Sequence, residues 1–318
     1  MATPKVIFGV NLSVDDYGNA GEFAKQAELL GYDRVTTGEH IMDGNPPRPT
    51  IMSIPAMAAA AGATNTIRVM TGIVIAPLYH PIMLAKMIAS LDIVSNGRLD
   101  FGIGISGQRG TRVEFDALEI PVNTRGRRTD EILEVLKRLW TEEHVTHHGK
   151  DFHFKDVTLL PKPVQSPNPP IWIAGRSEAA MRRAISVGDG WYPYLFTVRR
   201  LKSTNDALKV MATEAGRDMT GFHWGLNQPT AISADGDSAR ASAVQNVGQR
   251  YVTSERSAAD IAAALCVTGT PEDCIKAVED RIESGVREIN FGFLADNSDE
   301  MFAQMKLFSE KVLPYFKA

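Results

Sequence analysis

Pro169-Pro170-Ile171-Trp172-Ile173-Ala174-Gly175-Arg176-Ser177 runs on through Ala179-Ala180-Met181-Arg182-Arg183-Ala184 to Gly188-Asp189-Gly190-Trp191. The apolar run after two prolines predicts a short buried strand, Gly175-Arg176-Ser177 a turn, the next stretch a helix, and Trp191 the start of a second strand. Ser177 suits a helix N-cap, and Glu178 places a carboxylate in the first turn, where the helix dipole favours it. Gly175 lets a ligand approach the backbone, and amide hydrogens at a helix start favour an anion. A phosphate held by Gly175, Arg176 and Ser177 is one reading of this turn, and an ordinary strand-to-helix connection is the other.

Outward from that unit the same alternation repeats. Strands are expected at Val6–Leu12, Arg34–Thr37, Ile67–Ala76, Leu99–Ile105, Phe222–Ser233 and Glu288–Ala295. Helices are expected at Asp15–Leu30, Ile54–Ala63, from Pro81 to about Val94, Arg125–Trp140, Arg199–Ala215, Ser238–Tyr251, Ala258–Leu265, Pro271–Ser284 and Asp299–Val312. Pro229 suggests a bulge or an end in its strand. His147 to Phe154 reads as a hairpin turning at Gly149-Lys150, and Pro161 to Pro170 as a proline-rich excursion. Long apolar strands without strict alternation fit a parallel sheet covered on both faces. Eight strand–helix units in 318 residues predict a closed (β/α)8 TIM barrel with insertions, taken as one domain over residues 1–318.

Composition narrows the class. The chain is 44% hydrophobic and 23% charged, with net charge −4, which gives no basic field for nucleic acid or an anionic membrane. No apolar run approaches the ~18 residues of a membrane span, and the N-terminal residues do not read as a signal peptide. Cys266 and Cys274 read as two reduced thiols, and the expected location is cytoplasmic.

In such barrels chemistry gathers where strands end. That places Asn11, Glu39-His40, Ala76–His80, Ser106–Arg109, Gly175–Ser177 and Tyr194 at one mouth. A histidine there can exchange protons near neutral pH, or be held by hydrogen bonds for purely structural reasons. Gly102-Ile103-Gly104 lacks the third glycine of a dinucleotide fingerprint; small residues there would let a flat ring pack against the strand. His144, His147, His148 and His153 have no ligand spacing, and His147 and His148 point to opposite faces of a strand, so no metal is expected. Arg125-Gly126-Arg127-Arg128 reads as a solvated helix start. Serine-hydrolase and P-loop signatures are absent from the sequence. Met52, Tyr79, Trp191, Tyr194 and Phe196 could line an apolar pocket or belong to the core.

Taken together, several stretches resemble the luciferase-like monooxygenase family of flavin- and coenzyme F420-dependent oxidoreductases. They are Gly38-Glu39-His40, Val74-Ile75-Ala76-Pro77 with His80-Pro81, Leu91-Asp92 with Ser95 and Gly97-Arg98-Leu99, and Gly102 with Gly104. Arg125-Gly126-Arg127-Arg128 with Asp130-Glu131, Pro161-Lys162-Pro163-Val164-Gln165, and Ile171–Gly175 with Gly188–Trp191 continue the likeness. The resemblance covers roughly residues 6–195 well and is similar in detail to the F420-dependent subgroup. It implies a barrel holding reduced F420, or alternatively FMN, at the strand ends, with His40 beside the reactive edge and Glu39 as its catalytic neighbour. It also implies a non-proline cis peptide at Ile73-Val74 behind the ring, and cofactor contacts from Asn11, Ile73, Val74, Ser106, Gly175, Arg176 and Ser177. A small organic substrate, a homodimer and a separate flavin or F420 reductase come with the resemblance. Deazaflavin-dependent sugar-phosphate dehydrogenases carry an acid at the end of strand four, where this chain has Ser106-Gly107.

Overall fold

The computed structural model describes residues 6–12, 17–42, 49–107 and 112–317. Its strands are β1 (Ile7–Asn11), β2 (Arg34–Thr37), β3 (Arg68–Ile75), β4 (Leu99–Gly104), β5 (Val145–His148), β6 (His153–Val157), β7 (Ile171–Ala174), β8 (Gly190–Tyr192), β9 (His223–Ile232), β10 (Val267–Gly269) and β11 (Glu288–Phe293). Eight of them close into a parallel barrel in the order β1-β2-β3-β4-β7-β8-β9-β11, with β11 returning to β1. The fold is the (β/α)8 TIM barrel expected.

Side chains alternate along each strand between the helix-covered outside and the barrel interior. On the outer side Phe8 stacks on Phe291 at 5.9 Å, and Phe291 meets Phe308 of the helix Ser298–Lys311 at 4.5 Å. All three rings are fully buried, and each such side chain contributes ~1.5–3 kcal/mol. Inside, Met70, Trp172 and Tyr192 form a separate buried cluster.

Beneath that cluster lies a floor of charge. Arg34 donates to Asp100 at 2.8 Å and to Glu288 at 2.5 Å, while Arg68 reaches Asp100 at 2.6 Å. His223 meets Glu288 at 2.5 Å and stacks on Trp172 at 4.7 Å; the Arg34 guanidinium lies 4.8 Å from the same indole. Buried ions of this kind persist because each is paired and hydrogen-bonded.

Several expectations need correction. Pro229 lies within β9 without a bulge, its register with β11 unbroken. It occupies the gap between the bridge at Asn227 and the first β10 pairing at Thr230, where no ladder bond needs its missing N–H. The three-residue β10 was not foreseen; it extends the sheet beyond the barrel on β9. The helix expected from Asp15 begins at Ala20 after a 3-10 turn at Tyr17–Asn19. The helix expected over Ser238–Tyr251 is interrupted by a π-turn at Val244–Gly248. A short helix, Arg112–Ala117, follows β4.

The insertion between β4 and β7 is held by two carboxylates. Glu131 accepts from His147 at 3.0 Å and from the backbone amides of Asp151 and Phe152, fixing the antiparallel β5–β6 hairpin. Arg127 grips Asp151 through both guanidinium arms, and Arg128 lies over the Phe152 ring at 4.4 Å while donating to the Pro77 carbonyl. The basic run opens the helix Arg125–Thr141 with Arg127 exposed, as expected, and it also clamps the hairpin. Asp92, fully buried, accepts from the amides of Val164 and Gln165 and from the Gln165 side chain, binding the proline-rich excursion to the barrel.

Candidate active site

The mouth is built where β1, β2, β3, β4 and β7 end. On β3 the register shifts between Thr71 and Val74, and the non-proline cis peptide is Gly72-Ile73, one bond before the expected Ile73-Val74. Gly38 lies against this peptide: a Cβ there would come within 3.0 Å of the Gly72 carbonyl. Gly102 faces the Thr71 carbonyl, which a Cβ would meet at 2.0 Å, and Gly104 faces the Ile73 side chain. The small residues of β4 thus accommodate the β3 bulge. Ile73 is half-buried, whereas Val74 is fully buried in the core beside Ile103.

Glu39 and His40 are adjacent in sequence and diverge in space. The Glu39 carboxylate is buried and accepts from the amides of Ser53 (3.2 Å) and Ile75 (3.0 Å) and from the Tyr79 hydroxyl (2.9 Å). Burial pushes its carboxyl above the ordinary carboxylate range, against the pull of those three donors. Burial, with the Glu39 charge behind it, also raises the Tyr79 phenol. Ser53 opens the helix Ser53–Ala63, so the carboxylate also meets a helix N-terminus. Glu39 ties β2, β3 and that helix together.

His40 turns the other way. Its Nδ1 lies 3.1 Å from Oε2 of Glu114, and its carbonyl accepts from the Thr50 hydroxyl at 2.7 Å. Glu114, on Arg112–Ala117, is fully buried, and its Oε1 accepts from the amides of Ile41 (2.5 Å) and Met42 (3.2 Å). Sequence reading missed Glu114: it is 74 residues from His40 and follows a polar loop with no motif. Of the Ser106–Arg109 loop, Gln108 and Arg109 lie outside the described residues.

The remaining candidates surround this pair. Asn11 donates from Nδ2 to Asn227 at 2.9 Å, while its Oδ1 is buried without a protein partner. Ser106, at φ 55°, has a buried hydroxyl likewise unpartnered. At β7 the Ser177 hydroxyl accepts from the Ala180 amide (3.2 Å) and caps the helix Glu178–Val187, as expected. Gly175 has φ 139° and leaves no room for a Cβ, which would meet Ala180 at 2.7 Å. Arg176 and Ser177 are exposed, and the Arg176 carbonyl accepts from Arg200 at 3.3 Å. Two orphaned polar atoms at the mouth and a capped helix start with an exposed backbone turn fit a polar ring system carrying a phosphate.

Trp191 and Phe196 are core residues, Tyr79 is bound to Glu39, and Tyr194 is exposed. His147 is buried and His148 exposed, on opposite faces as expected. Among the described residues, no group of three or more His, Cys, Asp or Glu could hold a metal ion, and no helix is long and apolar enough to cross a membrane.

Comparison with known proteins gives a match to the family described as luciferase-like monooxygenase over residues 3–288. The chain is 35% identical over 174 residues to the oxygenase component of the flavin-dependent trigonelline monooxygenase of Acinetobacter baylyi, covering 54% of this chain and 47% of that protein. It spans about half the length of such flavin-dependent relatives. It is 23% identical to the F420-dependent glucose-6-phosphate dehydrogenase of Microbacterium testaceum, over 96% of each chain. Among solved structures, monooxygenase RslO1 from Streptomyces bottropensis superimposes with a TM-score of 0.79 at 28% identity, covering 98% of this chain and 99% of that one.

Proposed function

Because the chain belongs to the luciferase-like monooxygenase family, we propose that it is an oxidoreductase using coenzyme F420 for hydride transfer to or from a small organic substrate. The observation that carries this reading is His40, braced by Glu114 at the mouth that also holds the Gly175–Ser177 turn. A bound deazaflavin supplies a ring carbon that gives or takes hydride. The chain's residues do the rest. As an alcohol is oxidised, His40 would take the hydroxyl proton, and in the reduction of a carbonyl it would return a proton to the oxygen.

In this reading Asn11 and Ser106 offer their unpartnered oxygens to the ring's polar edge, Ile73 supports its face, and the Gly175, Arg176 and Ser177 turn takes the phosphate. Val74 acts from behind, through the bulge it ends, and Glu39 by holding the strand end that carries His40. The match to an F420-dependent dehydrogenase over nearly the whole of both chains supports this cofactor.

A second reading rests on the 35% identity to a flavin-dependent oxygenase component. There the cofactor is reduced FMN, oxygen is the co-substrate, and a separate reductase supplies the flavin. Either reading goes with one barrel domain over residues 1–318, working as a cytoplasmic homodimer without nucleic-acid or membrane partners.

Binding of F420 and of FMN, each oxidised and reduced, followed by fluorescence and calorimetry on the full chain, tests the proposal. Tight F420 binding without FMN binding is expected. FMN binding alone replaces the first reading with the second, and binding of neither overturns both.

A further inference from the structure

We infer that the cavity between the helices Val198–Glu214, Ala258–Leu265 and Pro271–Glu283 is a second ligand site, taking a small organic carboxylate whose charge is met by Arg281. The inference does not rest on the proposed function, and the lining includes none of the residues placed at the mouth.

Two arginines of this protein are buried to the same degree in different company. Arg34, on the barrel floor, is opposed by burial, but Asp100 and Glu288 outweigh it and hold the guanidinium above its ordinary value. Arg281 is 3% exposed and meets neutral acceptors. Its Nε donates to Oε1 of Gln228 at 2.5 Å, and its terminal nitrogens donate to the carbonyls of Ala277 at 2.8 Å and Cys266 at 3.2 Å. Among the described residues it forms no ion pair. Burial takes the guanidinium down to about 10, against weaker upward pulls from Cys266, Asp280 and Cys274, so it remains charged at neutral pH. A guanidinium carries five N–H donors, more than these three acceptors use. A buried cation without a counter-charge is costly, and an anion bound beside it removes that cost.

The cavity that Arg281 lines has a volume of about 720 Å³, within the ~300–1,000 Å³ usual for small-ligand sites. The Thr268 hydroxyl on β10 lines it as well and is buried without a partner, a donor for an incoming oxygen. Arg199 lines the same cavity, exposed and, among the described residues, unpaired. The two acids of the lining are already engaged. Asp273 is held by Arg240 at 3.0 Å and by the Thr270 amide, and Asp280 by Lys276. Val198, Val244, Ala259, Ala263 and Ala277 supply small apolar walls. A buried cation, a free hydroxyl and walls of this kind suit a carboxylate on a short aliphatic body.

The test is calorimetric titration of the full-length protein with acetate, butanoate and hexanoate. Saturable binding is expected, tighter for hexanoate than for acetate on the order of 10-fold, because added methylenes leave water for the apolar walls. Arg281→Met should weaken hexanoate binding ~10–100-fold, the scale of a lost hydrogen bond to a charged group. If that variant does not fold, Ala263→Glu sets a like charge on an exposed part of the wall and should weaken binding at least as far as on the order of 10-fold. Arg199→Ser, an exposed charge, should weaken it only ~2–5-fold. His40→Asn, at the mouth, should bind hexanoate as the wild type does. No saturable hexanoate binding, or binding unchanged by Arg281→Met or by Ala263→Glu, overturns the inference. So does acetate bound as tightly as hexanoate, or hexanoate binding lost in His40→Asn.

Discussion

Gly102→Ala and Gly104→Ala separate two explanations of the small residues on β4. At Gly102 a methyl group would stand 2.0 Å from the Thr71 carbonyl, a backbone atom on the neighbouring strand. Thr71 further locks the site, since its hydroxyl accepts from the Gly102 amide and donates to the Gly102 carbonyl, both at 2.9 Å. To admit the methyl, β3 and β4 must separate at the bulge, at a cost of ~3 kcal/mol or more, the upper end for an overpacked core. At Gly104 the methyl meets Cδ1 of Ile73 at 2.7 Å, the far end of a flexible side chain, and ~1 kcal/mol is enough to move it. An unfolding entropy of ~2.1 cal/mol/K per residue makes each kcal/mol worth ~1.5 °C in a chain of 318 residues. Thermal unfolding followed by circular dichroism at one scan rate should therefore show Gly102→Ala lower by ~4–5 °C or more and Gly104→Ala by ~1–2 °C. A Gly102→Ala protein with the wild-type midpoint refutes the packing argument. A Gly104→Ala protein of wild-type midpoint that no longer binds cofactor would return these residues to the role of making room for a ring.

Glu39→Gln keeps an oxygen for Ile75 and Tyr79 but turns an amide donor toward the Ser53 amide, and should lower the stability extrapolated from urea by ~1–3 kcal/mol, whereas Tyr79→Phe, which removes one donor, should cost ~1 kcal/mol. Asp92→Ala strands the amides of Val164 and Gln165 and should cost ~3 kcal/mol or more, with faster hydrogen exchange at those two amides. The barrel floor predicts a pH profile of the unfolding midpoint. Burial opposes the His223 charge, but the hydrogen bond and charge of Glu288, with Asp100, outweigh it and raise the imidazole above its ordinary 6.5. That contribution is complete below 6.5 and fades as pH rises through the raised value. Burial opposes the Glu288 charge too, yet Arg34 and His223 hold its carboxyl below 4.5, so its contribution is present above 4.5 and fades as pH falls through the lowered value. The midpoint should be flat between these limits, and His223→Gln should remove the alkaline decline; an unchanged decline in that variant refutes the assignment.

The barrel was legible because its strands are apolar runs and its helices carry their own boundaries. Ser177 caps where a serine after glycine should, and Pro271 opens its helix at the first turn. What escaped was decided by contacts between distant segments. A strand of three residues, Val267–Gly269, has too few positions to show a period, and it exists because β9 outruns its partner β8. The cis bond fell one residue from its expected place, still within the register shift between Thr71 and Val74. Glu39-His40 was legible as a pair, yet its members divide, since consecutive side chains at a strand end point apart. Glu114 had no local signal. Several stretches behind the family resemblance, notably Asp92 with Val164-Gln165 and Glu131 with the hairpin, proved to be ties between segments rather than parts of the mouth.

The charged floor also governs traffic. Arg34 and Asp100 are almost wholly withdrawn from solvent, and the cluster of Met70, Trp172 and Tyr192 above them is sealed as well. Among the described residues the barrel is closed below, so whatever lies deepest enters from the mouth, first in and last out. Two molecules sharing such a passage bind in compulsory order, and the outer one, while present, locks the inner one in place. Steady-state kinetics on this protein should carry that signature of a queue, with the inner product competing against the inner substrate alone.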